Sequence, residues 1–184
     1  MSMRFWSAPT LIVLAAASRV IPHPANVTPI LAMALFAGAA FGGKTSQSAK
    51  SSQKWFAVLL PLAAMFLSDL VIGAHNQIIS VYGSIILITV LGFALSQKQT
   101  VARVAGLTLL SSLLFFVVTN FAVWLTSGMY APTTTGLIQC YTLALPFFRN
   151  GLLGDLFFSG VLFGAWALVT SLTKASDDSQ LGTI

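Results

Sequence analysis

Residues 104–127 read VAGLTLLSSLLFFVVTNFAVWLTS and contain no charged side chain. A helix needs roughly 20 apolar residues to cross the hydrocarbon core of a bilayer, which is about 30 Å thick. This run is therefore predicted to be a membrane-spanning helix. The composition of the whole chain supports a membrane location, because 57% of its residues are hydrophobic and 7% are charged, whereas soluble domains carry about 25% charged residues. The sequence predicts an all-α integral membrane protein.

Further apolar runs set the number of spans. They lie at about 5–18, 28–43, 55–73, 79–96 and 151–173. Together with 104–127 they predict a six-helix transmembrane bundle that forms a single domain over residues 1–184. A seventh stretch, GLIQCYTLALPFF at 136–148, is too short to cross and contains Gly136 and Pro146. It is predicted to be re-entrant or to lie along the membrane face.

The basic residues predict the orientation of the bundle. With the N-terminus in the cytoplasm, seven of the nine Lys and Arg residues fall in cytoplasmic segments, and Arg19 and Arg149 fall outside. This bias follows the positive-inside rule, so both termini are predicted to be cytoplasmic. The net charge of +5 then serves orientation and contact with lipid headgroups, and nucleic-acid binding is not expected.

Three connections on the predicted outer side concentrate the side chains that can recognise a ligand. They are RVIPHPANVTP (19–29), GAHNQIISVYG (73–83) and SGMYAPTTTGLIQCYTLALPFFRNG (127–151). Together they hold both histidines, the cysteine and all three tyrosines. This distribution predicts an outward-facing ligand site, with the aromatic segment at 136–148 as its lid or wall. The alternative is that outer loops, which avoid Lys, simply use other polar residues.

Charged residues inside apolar runs mark a second set of candidates. Asp69 lies near the outer end of span three, while Arg149 and Asp155 flank the start of span six. A charge at the bilayer centre costs roughly 2.5–3.5 kcal/mol, so Arg149 is expected either to pair with one of these carboxylates or to hold a ligand group. Asn120 and Trp124 share one helical face, where Asn120 is either a ligand contact or an interhelical hydrogen-bond partner.

Small residues at four-residue spacing predict close helix contacts. They occur in span two as Ala34, Gly38 and Gly42, and in span six as Gly160 and Gly164. The contacts are expected either within the bundle or with a partner membrane subunit.

Enzymatic chemistry has little support in the sequence. There is no GxxxxGK[ST] phosphate loop and no HExxH motif, so nucleotide hydrolysis by that route and a zinc-protease site are not expected. His23, Cys140 and Asp69 could in principle form a thiol-type triad, but no motif fixes their geometry. The protein is predicted not to be an enzyme, with an intramembrane enzyme as the weakest alternative.

Several motifs together resemble a known group of membrane proteins. They are RVIPHPANVTPILAMALFAGAAFGG (19–43), PLAAMFLSDLVIG (61–73), VYGS (81–84), FFVVTNFAVWL (115–125) and CYTLALPFFRNGLLGDL (140–156). They resemble an uncharacterised family of small bacterial six-span membrane proteins. That family is in turn similar to the substrate-binding S components of energy-coupling-factor (ECF) vitamin transporters, and within them to the BtuM-type cobalamin transporters.

The resemblance implies a vitamin transporter subunit of the bacterial inner membrane, with cobalamin or a related corrinoid as substrate and no intrinsic cofactor. Transport would then use either ECF transmembrane and ATPase subunits as partners or slow facilitated movement by the protein alone. By position, the residues that match are His23, Asp69, Tyr82 and Arg149. The alternative from another class is a membrane structural or assembly subunit that docks a partner protein.

One departure from the resemblance concerns cobalt. BtuM-type proteins are thought to ligate cobalt through a cysteine in an outer loop, but the corresponding loop GAHNQIIS contains none. Removal of cyanide from cobalamin is therefore doubtful, and cobalt would have to be met by His23, His75 or Cys140. The complete set of predicted ligand-binding residues is His23, Asn26, Asp69, His75, Tyr82, Asn120, Trp124, Cys140, Tyr141 and Arg149.

Overall fold

The computed structural model describes residues 3–19, 24–42, 51–73 and 76–181, and within these ranges the chain is helical and contains no strand. The helices are α1 (Met3–Ser18), α2 (Ile30–Phe41), α3 (Ser51–Ile72), α4 (Ile78–Gly92), α5 (Val101–Thr126) and α6 (Thr134–Leu181). A single 3-10 turn, Phe93–Leu95, extends α4. The predicted all-α class is therefore confirmed.

Four segments are long and apolar enough to cross a membrane. They are Lys54–Val71, Ile78–Leu95, Val101–Thr126 and Thr134–Thr173. The apolar parts of α1 and α2, Ser7–Ser18 and Ile30–Phe41, are shorter. At 1.5 Å per residue, the 12 residues of α2 span about 18 Å, which is less than the hydrocarbon thickness of about 30 Å.

Helix α2 forms the centre of the bundle. It contacts each of the other five helices, and eleven of its twelve residues are buried. A helix that is apolar on every face suits a place where other helices or lipid cover it all round, and the other helices cover α2. Phe36 illustrates this environment, since its ring packs edge-on against Phe163 and Trp166 of α6, with centroid distances of 5.3 and 5.7 Å.

Helices α2 and α4 cross at a pair of glycines. A Cβ added at Gly38 would lie 2.8 Å from the Cα of Gly92 and would also collide with the carbonyl oxygen of Thr89. The absence of side chains thus lets the two backbones touch. The small residues predicted in span two pack within the bundle, whereas a Cβ at Gly160 or Gly164 would meet no atom within 4 Å.

Helices α5 and α6 form an antiparallel hairpin that includes residues 136–148, the segment predicted to be re-entrant or to lie along the membrane face. These residues are the beginning of α6, which continues without a break to Leu181. Pro146 lies inside α6 although it has no N–H to donate to the helix. Contacts with α5 flank it, because Phe148 packs on Phe116 at 4.6 Å and Tyr141 packs on the same ring at 5.4 Å.

The connection before α2 is built by a turn. The N–H of Val27 donates to the carbonyl of Pro24 at 3.0 Å, and Asn26 takes a φ of 64°, a left-handed conformation that Asn tolerates better than most residues. A Cβ at Gly154 of α6 would lie 3.1 Å from the Cα of Val27. Gly154 therefore allows this turn to pack directly on α6, which fixes one wall of the site described next.

Candidate ligand-binding site

A polar cluster joins the ends of α1, α3 and α4. Arg19 directly follows α1, and its Nη1 lies 3.8 Å from the Asp69 Oδ1 and donates to the Ser68 hydroxyl. The Tyr82 hydroxyl donates to the Asp69 Oδ2 at 2.8 Å. Burial lowers the pKa of Arg19, and the Asp69 carboxylate opposes this shift. Each partner thus offsets part of the cost of holding the other away from water.

A second polar group lies between α5 and α6. Asp155 is 4% exposed, and its Oδ2 is 2.7 Å from the Ser112 hydroxyl. The Thr108 hydroxyl donates to that of Ser159 at 3.0 Å, one turn further along. These contacts satisfy polar side chains in an otherwise apolar helix interface.

Both groups reach a cavity of about 560 Å³ at the end of the bundle where α1, α3 and α5 finish and α2 and α4 begin. Drug-sized ligands occupy pockets of roughly 300–1,000 Å³. The polar lining residues are Arg19, Asn26, Thr28, Ser112, Thr119, Asn120 and Asp155. The apolar lining includes four rings, those of Phe115, Phe116, Phe147 and Phe148, and the aliphatic residues Ile30, Leu31, Met65, Val81 and Leu152.

Of the predicted ligand-binding residues that the structure describes, two line this cavity. Asn26 reaches it from the turn before α2, and Asn120 from the C-terminal part of α5. The Asn120 Nδ2 also donates to the Phe116 carbonyl at 2.8 Å. Asp69 and Tyr82 do not line the cavity. Asp69 pairs with Arg19, which does line it, and Tyr82 donates a hydrogen bond to Asp69. Asp69 and Tyr82 therefore act as positioning residues for the Arg19 guanidinium at the cavity wall.

Three other predicted residues hold the α5–α6 hairpin together. The Trp124 Nε1 donates to the Ala131 carbonyl at 3.0 Å, and the Tyr141 hydroxyl donates to the Val117 carbonyl at 2.7 Å. The Cys140 thiol is 3.4 Å from the Asn120 carbonyl and is 2% exposed. None of the three lines the cavity, so their polar atoms are used in packing.

Arg149 lies on the exposed surface of α6 and does not line the cavity. The expected pairing of Arg149 with Asp69 or Asp155 is absent from the described residues, in which Arg19 pairs with Asp69. His23 and His75, and with them the predicted orientation of His23 toward the pocket, lie outside the residues that the structure describes. In the described ranges no three His, Cys, Asp or Glu residues are grouped as metal ligands.

Two residues of the site were missed by sequence reasoning as ligand contacts. Arg19 was used only as an orientation signal, although it directly follows an apolar run and precedes a proline-rich connection. Asp155 was considered only as a partner of Arg149. The signal that could have found both was the high cost of charge at membrane depth, which makes any such residue a candidate for a cavity wall.

The described residues define a class: an all-helical protein with four helices suited to crossing a membrane, and a solute-sized cavity whose wall combines aromatic rings with Arg19 and Asp155. A family model described as "Family of unknown function (DUF6580)" matches residues 1–177. The chain belongs to this family. Comparison with curated proteins gave no match, and comparison with solved structures gave none either.

Proposed function

We propose that this protein is the substrate-binding subunit of a membrane transporter, similar to an ECF S component, and that it takes up a vitamin. The observation that carries the proposal is the cavity, in which Arg19, Asn26 and Asn120 face aromatic walls. A few polar groups in a mostly apolar pocket are typical of sites that orient a small amphipathic ligand.

The volume of the cavity limits the size of the substrate. A volume of about 560 Å³ suits a molecule of one or two rings, within the roughly 300–1,000 Å³ typical of ligand pockets. A whole corrinoid is bulkier and would require the cavity to widen. Cys140, offered as a cobalt ligand, is directed at the Asn120 carbonyl. Cobalamin therefore stays a prediction, and a smaller vitamin fits the described geometry better.

The proposed membrane arrangement has six helices with both termini in the cytoplasm of a bacterial cell. The cavity then faces outward, because the ends of α1, α3 and α5 lie on the outer side. A helix of 48 residues, as in α6, is about 72 Å long and exceeds the hydrocarbon thickness of about 30 Å. We place its first part, residues 136–148, at the outer membrane face beside the cavity, where Phe147 and Phe148 form a wall.

The proposal is tested by thermal unfolding of the purified protein with a panel of vitamins that includes cobalamin. A ligand at 100 times its Kd stabilises the folded state by about 2.7 kcal/mol, which corresponds to a rise in Tm of roughly 5–10 °C for a domain of this size. Native mass spectrometry of the untreated sample then identifies any ligand that co-purifies.

A matched pair of variants locates the binding. Thr119 lines the cavity, whereas Thr142 is exposed on α6, and each hydroxyl donates to the carbonyl four residues earlier. Thr119→Leu should fill the cavity and abolish the shift, while Thr142→Leu should retain it. If no vitamin shifts the wild-type protein and none co-purifies, the transporter proposal is wrong and an assembly subunit becomes the better interpretation.

A further inference from the structure

Asp155 differs from the other buried carboxylate at this end of the bundle. Asp69 has a guanidinium and a phenol as neighbours, through Arg19 and Tyr82. Asp155 is buried to a similar degree, yet no Lys or Arg in the described ranges pairs with it. A buried carboxylate without a cation is costly, because the surroundings cannot replace the water that would stabilise its charge.

The hydrogen bond from Ser112 only partly compensates Asp155. The Ser112 hydroxyl is 2.7 Å from the Asp155 Oδ2 and 3.0 Å from the Thr108 carbonyl oxygen. A hydroxyl has one proton, so it cannot donate fully to both acceptors. Either Ser112 donates to an ionised Asp155, or it donates to Thr108 and accepts a proton from a neutral Asp155. The geometry accommodates either protonation state of Asp155.

The cavity contains a complementary feature at Arg19. Its Nε is buried and has no acceptor among the described residues, although its Nη1 is engaged by Ser68 and Asp69. A buried donor of this kind lowers stability until an acceptor arrives. Arg19 and Asp155 line the same cavity, so one ligand can supply an acceptor to the first and a cation to the second.

We propose that the ligand carries a protonated amine that pairs with Asp155, and an aromatic ring that packs against Phe116 and Phe148. This inference rests on the proposed function and narrows its substrate class to cationic or zwitterionic ring compounds. Cations also favour the faces of aromatic rings, and four phenylalanine rings line this cavity. Binding then supplies Asp155 with a positive charge that no Lys or Arg of the described ranges provides.

The test uses two probes that differ in one group. Tryptamine carries an alkylamine, and indole-3-ethanol carries a hydroxyl at the same position. Wild-type protein should bind tryptamine more tightly in calorimetry, with detergent alone as the blank. Asp155→Asn should weaken tryptamine binding about tenfold or more, since a hydrogen bond to a charged group contributes roughly 1.5–3 kcal/mol. Asp155→Asn should leave the affinity for indole-3-ethanol nearly unchanged. The control Asp178→Asn removes a carboxylate charge near the C-terminus and should alter neither binding affinity.

A pH titration of the wild-type protein covers the case in which Asp155→Asn does not fold. The alkylamine of tryptamine resembles the side-chain amine of lysine, which has a pKa of about 10.4, so it stays charged below pH 8. Acidification that protonates Asp155 should weaken tryptamine binding and leave indole-3-ethanol binding constant. Of the described residues, Arg19 is the other ionisable group on the cavity wall, and it stays charged throughout. Helix α5 and the turn at 24–29 present no ionisable group to Asp155, and Arg149 on α6 is exposed.

The outcomes separate this inference from the proposed function. Equal binding of the two probes, or a preference for the amine that survives in Asp155→Asn, overturns the inference. If an uncharged vitamin binds and Asp155→Asn does not affect it, the inference fails and the transporter proposal stands. If neither the probes nor any vitamin bind, both fail.

Discussion

Replacing Gly38 by alanine should destabilise the bundle although the change adds one methyl group. The new Cβ would lie 2.8 Å from the Gly92 Cα, whereas carbon atoms prefer about 3.5–4.0 Å. The obstructing atoms are backbone, which cannot rotate away, so α2 and α4 would have to separate. Overpacking costs typically about 1–3 kcal/mol, and we expect the upper end because α2 is enclosed by five helices.

The measurable effect is a lower Tm in detergent. Alanine is the better helix former by about 1 kcal/mol, which leaves a net loss of about 2 kcal/mol and a drop of roughly 4–8 °C. Gly160→Ala is the matched control, since no atom lies within 4 Å of its added Cβ, and it should hold or raise the Tm. If Gly38→Ala were as stable as Gly160→Ala, the close crossing of α2 and α4 would be wrong.

Three further changes probe the site and its supports. Tyr82→Phe removes the hydrogen bond to Asp69 and should cost roughly 1.5–3 kcal/mol; a double-mutant cycle with Asp69→Asn should show this coupling in the Tm, and additive losses would contradict it. Cys140 is 2% exposed, so a maleimide should label it only after denaturation, and rapid labelling of the folded protein would refute its packing role. Asn26 has a φ of 64°, so Asn26→Ala should lower stability by roughly 1–2 kcal/mol while Asn26→Gly avoids that strain; equal unfolding temperatures for the two variants would contradict the turn.

Hydropathy predicted the helices well where apolar length was the deciding property. The runs predicted at 28–43 and 104–127 correspond to Ile30–Phe41 and Val101–Thr126. Local composition determines these elements, because an unpaired backbone cannot be buried in lipid and helix is its simplest solution. The sequence did not predict that 136–148, which contains Pro146, continues into the span at 151–173 as one helix. Packing against α5 covers both sides of that proline, and such tertiary support is invisible in a local pattern.

Charge pairing was the least predictable part of the site. Arg149 and Asp155 are close in sequence but six residues apart on one continuous helix, where only spacings of three or four bring side chains together. Asp69 instead pairs with Arg19, fifty positions earlier in the chain. No periodicity links two residues on different helices, so this contact emerges only once α1 and α3 are packed side by side.

The position of the cavity follows from the alternation of helix direction. Because consecutive helices are antiparallel, the connections at 24–29 and 127–133 come to the same end of the bundle as the start of α4, and their polar side chains converge. The short α2 makes room there, since it begins at Ile30 and the turn before it supplies Asn26 and Thr28 to the wall. Gly154 lets that turn sit against α6, beside Asp155. The glycine that admits the turn and the carboxylate that faces the cavity are thus adjacent in sequence. A larger residue at 154 would displace the wall beside Asp155, the charge on which ligand recognition is proposed to depend.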